Sequence, residues 1–298
     1  MASTRTINRA LRGPIFDYIM IGPAVVLFSV FIVWPAIQTL YTSLFAEPTK
    51  GGAFIGLGNY REMMGDPVFW IALRNNLIFI LANLVLQVGL GTVLAAILDR
   101  GIRRGSTLMR TIIFAPLVIA PVAIGVMWKM ILEPNFGLLR QLADGIGLPF
   151  PTQGILGDPY LAFPAIIGVG VWNYVGFMMT IMLAAMQGIS KDVYEAARID
   201  GASAVQTFIS ITLPGVRYAL VLCGLIVIVG SFKTFELVYV LTAGGPGNAT
   251  QVLGTYIVES AFLVFQPNYA AGMSVIVLLV AILFGSLQVY NRESKVKT

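Results

Sequence analysis

Glu195, Arg198 and Asp200 stand at i, i+3 and i+5 in the stretch Glu195-Ala196-Ala197-Arg198-Ile199-Asp200-Gly201-Ala202, which Leu213-Pro214 closes. Long apolar runs flank this stretch on both sides. Such a pattern can do ionic recognition of a soluble surface, because a short amphipathic helix ended by glycine makes a compact charged knob. Ser190 can cap the helix, and Asp192 and Glu195 at its start suit the positive end of the helix dipole. Tyr194, Ala197 and Ile199 are expected along one side, with Lys191, Glu195 and Arg198 polar. Gly201 permits a sharp turn or a close backbone approach. A second helix is expected from about Ala202 to Ile211, and Pro214 would start the next apolar run where proline is tolerated. Helix physics alone fits a helix lying on a bilayer surface equally well.

Catalytic chemistry has little footing. Histidine is absent, and the single cysteine, Cys223, lies inside an apolar run, where small apolar packing is its expected role. No intrachain disulfide and no Cys/His metal site can form. The G-x-x-x-x-G-K-[ST] phosphate loop is missing, since Gly101-Ile102-Arg103-Arg104-Gly105-Ser106 lacks both its spacing and its lysine. No cofactor is therefore expected on this chain. The apolar runs also lack the acidic or histidine relay of proton-coupled transporters. Lys129, Lys233 and Glu236 sit toward run ends, where they can snorkel, or pair as Lys233 with Glu236 at i, i+3. Asn248-Ala249-Thr250 matches a glycosylation sequon, but without a eukaryotic secretory context chance is the better reading.

The elements that must position these residues are membrane helices. Of 298 residues, 57% are hydrophobic and 11% charged, and the mean hydropathy is +0.85, well outside the range of a soluble domain. Six runs approach the roughly 20 residues that cross a hydrocarbon core: Tyr18–Leu44, Leu77–Leu98, Thr111–Leu132, Leu161–Met186, Leu213–Tyr239 and Tyr269–Val289. The fifth is the weakest, with Arg217 and Lys233 bracketing its apolar centre. The first is too long for a cleavable signal peptide, carries Pro23 and Pro35, and lacks a cleavage site. The net charge of +5 does not point to nucleic acid, because the basic residues gather at run ends.

With a cytoplasmic N-terminus, the inside segments hold Arg5, Arg9, Arg12, Arg100, Arg103, Arg104, Arg110, Lys191, Arg198, Arg217, Arg292, Lys295 and Lys297. The outside keeps Lys50, Arg61, Arg74, Lys129, Arg140 and Lys233, accompanied by most of the acids. This bias places both termini and the Glu195–Pro214 loop in the cytoplasm. The expectation is an all-α, polytopic membrane protein with six spans and one domain over residues 1–298. Its N-terminal tail covers about 1–15 and its cytoplasmic loop about 188–214. The outer loops, such as Glu47–Gly52 and Ala243–Asn248, carry turn punctuation and are too short for a folded domain.

Glu195 to Ser203, followed by Phe208-Ile209-x-Ile211-x-Leu213-Pro214, resembles the "EAA" loop of ABC importer permeases, in particular the carbohydrate-uptake, maltose-type family. Three further stretches agree. Phe54-Ile55-Gly56-Leu57-Gly58-Asn59-Tyr60, with Asp66-Pro67 and Phe69-Trp70, is similar to the first outer loop of that family. Trp172 through Gly176-Phe177, with Leu183 and Gln187-Gly188-Ile189, resembles the span leading into the docking loop. Leu241-Thr242-Ala243-Gly244-Gly245-Pro246 resembles its outer signature after the fifth span. The match covers about residues 16–290 and is most specific over 172–246. Ser190 departs from the usual proline, which a capping serine can replace, and Arg140 departs from a common asparagine, which puts that outer contact in doubt. The chain lacks the outer insertion and extra spans of the larger maltose permease and resembles the six-span partners.

The resemblance implies an ABC type I importer permease in the inner membrane. Such a chain pairs with a second, related permease above two cytoplasmic ABC ATPase subunits that hold ATP and Mg. A solute-binding protein delivers substrate from outside. The Asp192–Arg198 helix would sit in a cleft of one ATPase, with Tyr194, Glu195, Ala196, Ala197, Arg198, Asp200 and Gly201 as docking residues. Glu195 would be the ionic contact and Gly201 the tight turn. Asn173, Tyr174 and Phe177 on the fourth span and Ser231 and Thr234 on the fifth match, by distance from the motifs, sugar-contacting positions of the maltose permease. Aromatic faces stack on sugar rings, and Asn, Ser and Thr bond hydroxyls; helix–helix packing explains small polar residues equally well. The implied substrate is a sugar, oligosaccharide or polyol, or alternatively a glycerol phosphate ester. Lys233 facing the pathway would favour the anionic ligand, and Lys233 snorkelling outward the neutral one. A secondary transporter would need coupling-ion ligands and usually internal repeats, and a scaffold would not need the Glu195–Pro214 element.

Overall fold

A computed structural model describes residues 14–101, 105–232 and 234–296. Those residues are helical throughout, apart from turns and an isolated antiparallel bridge between Phe45 and Phe54. The helices are α1 (Tyr18–Thr42), α2 (Gly58–Met64), α3 (Pro67–Asp99), α4 (Ser106–Val118), α5 (Pro121–Ile131) and α6 (Leu138–Gly145). After these come α7 (Ala162–Gln187), α8 (Lys191–Ile199), α9 (Ala204–Gly215) and α10 (Arg217–Phe232). The last three are α11 (Glu236–Thr242), α12 (Leu253–Leu263) and α13 (Pro267–Val296). The chain forms two compact units, one of Met1–Met63 with Ser260–Ile276 and one of Met64–Glu259 with Val277–Thr298.

The first unit holds α1, whose side chains find no cover within the chain, as expected of a span packed by lipid or by another subunit. Buried Asn59 donates its side-chain N–H groups to the carbonyls of Ser43 and Phe45, at 2.8 and 2.9 Å. The buried Glu47 carboxylate accepts the backbone N–H groups of Asn268 (3.2 Å) and Tyr269 (2.7 Å). These are orphan donors of the first turn of α13, at the positive end of its dipole.

The second unit is organised on α7, buried along much of its length from Ala162 to Met186. Small residues let backbones approach it. A Cβ on Gly91 of α3 would lie 2.8 Å from the Met178 Cβ, and one on Gly176 would lie 2.2 Å from the Ile113 carbonyl oxygen. Met178, Met179, Met182 and Met186 fill the surrounding core with Val88, Ala95, Cys223 and Val227. Cys223 is buried, as its place in an apolar run implied.

The spans are less regular than six plain helices. By length and apolar character α1, α3 and α7 qualify as unbroken spans, and α4 with α5 and α9 with α10 qualify as bent pairs. The run read as Thr111–Leu132 turns by 99°, because Ile119 and Ala120 are extended ahead of Pro121; proline disfavours the α conformation in the residue before it. The run read as Leu213–Tyr239 is also broken. Pro214 does not begin it but lies near the end of α9, and the chain turns by 72° into α10 at Val216. The sixth run, Tyr269–Val289, falls within the single helix α13. Among the described residues three helices are unbroken spans and two more spans are bent pairs.

Candidate functional site: a capped charged helix and a cavity

The charged loop folds as its local signals require. Ser190 has extended dihedrals (φ −57°, ψ 138°) and accepts the Asp192 N–H on its hydroxyl at 3.3 Å, capping α8. The other end is a Schellman turn. Gly201, at φ +76°, donates to the Arg198 carbonyl (3.2 Å), and Ala202 donates to the Ala197 carbonyl (2.9 Å). Ser203 and Gln206 then form a reciprocal capping box that starts α9. A rigid α8 is thus clamped between two caps.

Tyr194 and Ala197 are the inward side of α8, 7% and 8% exposed. The Tyr194 hydroxyl lies 3.1 Å from the buried Thr212 hydroxyl of α9, which ties the two helices together. Ile199, expected on the same side, is 86% exposed. At about 100° per residue it points away from both Tyr194 and Ala197. Glu195, Ala196, Arg198 and Asp200 are exposed around the free side, and a Cβ at Gly201 would meet nothing within 4 Å. The second helix starts at Ala204 and runs to Gly215, later at both ends than its sequence pattern indicated, through a π turn at Phe208–Thr212.

The other candidate residues converge. Asn173, Tyr174, Phe177, Ser231 and Thr234 all line one cavity of about 410 Å³ within the second unit. Asn173 is 3% exposed, and its Oδ1 is buried with no hydrogen-bond partner. A buried amide oxygen without a partner costs roughly 1–3 kcal/mol, which sets Asn173 apart from the other lining residues. Thr234 lies beyond the end of α10 rather than on it, and its hydroxyl donates to the Gly230 carbonyl at 3.2 Å. Lys233 lies outside the described residues.

Three polar residues escaped the sequence pattern. Asn83 and Gln87 of α3, both buried, add amides to the wall, and Glu236 at the start of α11 adds a carboxylate. Two amides at i, i+4 in the middle of an apolar run were the available signal. Asn83 donates to the Phe79 carbonyl at 2.7 Å. The outer loop after α11 is held by other amides of α3. Asn75 donates to the carbonyls of Ala249 and Gln251, and Asn76 accepts the Leu253 N–H at 2.7 Å while donating to the Ser231 carbonyl. Asn76 therefore anchors the end of α10 where Ser231 enters the cavity. Arg140, the departure in the outer loop, pairs within its own loop, with Asp144 at 2.8 Å and over the Phe150 ring.

A capped charged helix and a cavity lined by the candidate ligand residues, in a chain of membrane-length apolar helices, narrow the choice of families. The family model described as "Binding-protein-dependent transport system inner membrane component" matches residues 87–293. The chain belongs to that family. This permease is 37% identical over 282 residues to a probable ABC transporter permease protein, YurN, of Bacillus subtilis, covering 93% of this chain and 96% of that one. It is 33% identical to the lactose transport system permease protein LacF of Rhizobium radiobacter, over 99% of this chain and all of the other. A solved bacterial ABC transporter involved in the import of the acidic polysaccharide alginate superposes with a TM-score of 0.81 at 22% identity, over 95% of this chain and 98% of that one. The permease thus has the ABC importer fold, all-α and multi-pass, which its motifs implied.

Proposed function

We propose that this chain is one of two related permease subunits of an ATP-driven importer for a neutral sugar, oligosaccharide or polyol. Two cytoplasmic ABC ATPases bind and hydrolyse ATP, one of them gripping α8, and an extracytoplasmic solute-binding protein delivers the solute. The chain itself binds no nucleotide, crosses the membrane six times within one permease domain, and keeps both termini in the cytoplasm. Closing of the nucleotide-loaded ATPases moves the capped α8 as a rigid body, and the Tyr194–Thr212 contact passes that motion to α9. Glu195 is the ionic contact to the ATPase.

The unpartnered Asn173 Oδ1, buried on the wall of the 410 Å³ cavity, carries this reading. A hydroxyl hydrogen satisfies it, and sugars, polyols and glycerol phosphate esters all carry one. Glu236 places a carboxylate in the described lining, and its like charge opposes a phosphate ester there. The test is uptake by the complete four-subunit complex with its binding protein in proteoliposomes, with lactose, trehalose, sorbitol and glycerol 3-phosphate as probes. ATP-dependent uptake of a neutral probe supports the reading, and uptake of glycerol 3-phosphate alone refutes it. Reporter fusions at Thr298 and within Glu47–Trp70 should report opposite sides of the membrane; the same side would end the topology.

A further inference from the structure

A second concavity, about 880 Å³, is lined by Arg110, Thr111, Phe114, Thr180, Ala184 and Gln187 among others, and shares no lining residue with the first. Its position on α7 is specific. Asn173 and Phe177 face the first cavity, and Thr180, Ala184 and Gln187 face the second. These five residues follow one another by four, three, four and three, so they occupy one arc of about 80° on the helix. From Asn173 to Gln187 the arc runs about 21 Å along the axis, toward the end that leads into the docking loop. The lining passes from the first space to the second between Met178 and Met179. The two spaces are therefore successive along one face of α7.

The lining of the second concavity is mainly apolar, with Arg110, Thr111, Thr180 and Gln187 as its polar side chains. The Arg110 Nε is buried and has no hydrogen-bond partner, and its Nη2 reaches only the Leu98 carbonyl, at 3.5 Å. Thr180 donates its hydroxyl proton to the Gly176 carbonyl at 2.8 Å, which leaves its oxygen as an acceptor. An arginine, a threonine and a glutamine in a groove otherwise lined by Phe114, Val118 and Leu183 offer donors and acceptors that lipid tails cannot use. We propose that this groove is a second, cytoplasmic-side station for the transported hydroxylated solute, with Arg110 and Gln187 as hydrogen-bond donors and Thr180 as acceptor. The hydroxylated-solute part rests on the proposed function; the water-filled route does not.

Thr180→Cys and Gln187→Cys test it in the assembled importer, in inside-out membrane vesicles, with a charged methanethiosulfonate that cannot cross the bilayer. The native Cys223 is fully buried and sets the unreactive baseline. Both introduced cysteines should react at least tenfold faster than that baseline without nucleotide, and at least fivefold more slowly once ATP and vanadate hold the ATPases closed. Reaction at the baseline rate for both would overturn the station, since lipid or another chain would then fill the groove. Arg110→Gln should lower the maximal uptake rate severalfold at unchanged KM, with Arg110→Lys recovering part of it; an unchanged rate would remove Arg110 from the station. Reactive cysteines in a complex that imports no sugar or polyol would sink the solute assignment, while normal sugar uptake with silent cysteines would sink only the second station.

Discussion

Gly201 separates two reasons for a glycine in the docking loop. At φ +76° it occupies the left-handed region, and the Schellman turn that ends α8 depends on it. A Cβ there meets nothing within 4 Å, so any penalty inside this chain is conformational. Alanine in that region costs about 1–2 kcal/mol, which is roughly a 5- to 30-fold loss of the turn relative to alternatives. Asparagine tolerates the left-handed conformation far better. Gly201→Ala is therefore expected to lower uptake per ATP hydrolysed by several-fold in the reconstituted complex, and Gly201→Asn to retain at least half of the wild-type ratio. Gly201→Asp keeps the turn but adds a charge, and should weaken ATPase association, as should Glu195→Lys. The assay measures ATPase co-purification and coupled uptake at equal permease abundance. If Gly201→Asn is as defective as Gly201→Ala, the turn is not the reason, and close approach of a partner backbone is. If all the variants transport normally, α8 is only an interfacial helix.

Asn173→Leu should lower uptake at least tenfold without lowering the thermal stability of the purified complex, because it removes an unpaired buried acceptor rather than a made hydrogen bond; an unfolded complex or normal uptake would each contradict this. Tyr194→Phe deletes the hydroxyl contact to Thr212, costing about 1 kcal/mol, and should raise uncoupled ATP hydrolysis relative to uptake while complex assembly persists. The Glu133 carboxyl is held below its ordinary value, first by the Phe136 N–H and then by the Asn135 side chain and N–H. A depressed pKa contributes order above the unfolded-state value and loses it as pH falls through the lower folded one. Proteolysis of the loop around Pro134 should thus stay slow at neutral pH and accelerate only in acid below the usual carboxylate range, whereas Glu133→Gln should be cut readily at every pH.

The local grammar of α8 was legible residue by residue. Ser190, Asp192 and Gly201 act through backbone groups within a few positions, so their types and spacing suffice to define the caps of α8, whereas the Ser203–Gln206 box was not read and the second helix was started too early. The all-α membrane class was legible too, since hydrocarbon-length apolar runs have few other homes. Ile199 was misread because hydrophobicity does not say which side of an exposed helix is covered; the reach of Tyr194 to Thr212 decides that. The breaks at Ile119–Ala120 and Val216 were only half visible, because Pro121 and Pro214 indicate disturbance but not its place or angle, which neighbouring helices determine. Asn173, Tyr174, Phe177, Ser231 and Thr234 were singled out through the family resemblance, and the structure brings them to one cavity. Asn83 and Gln87 were not, since an amide in an apolar run serves helix packing and ligand binding alike. Only the assembled bundle brings α3 across from α7, and only there does Asn173 become a buried acceptor without a partner. Periodicity specifies the face a residue takes on its own helix. Which helix stands opposite, and whether it supplies the missing hydrogen-bond partner, is a property of packing between segments far apart in the chain.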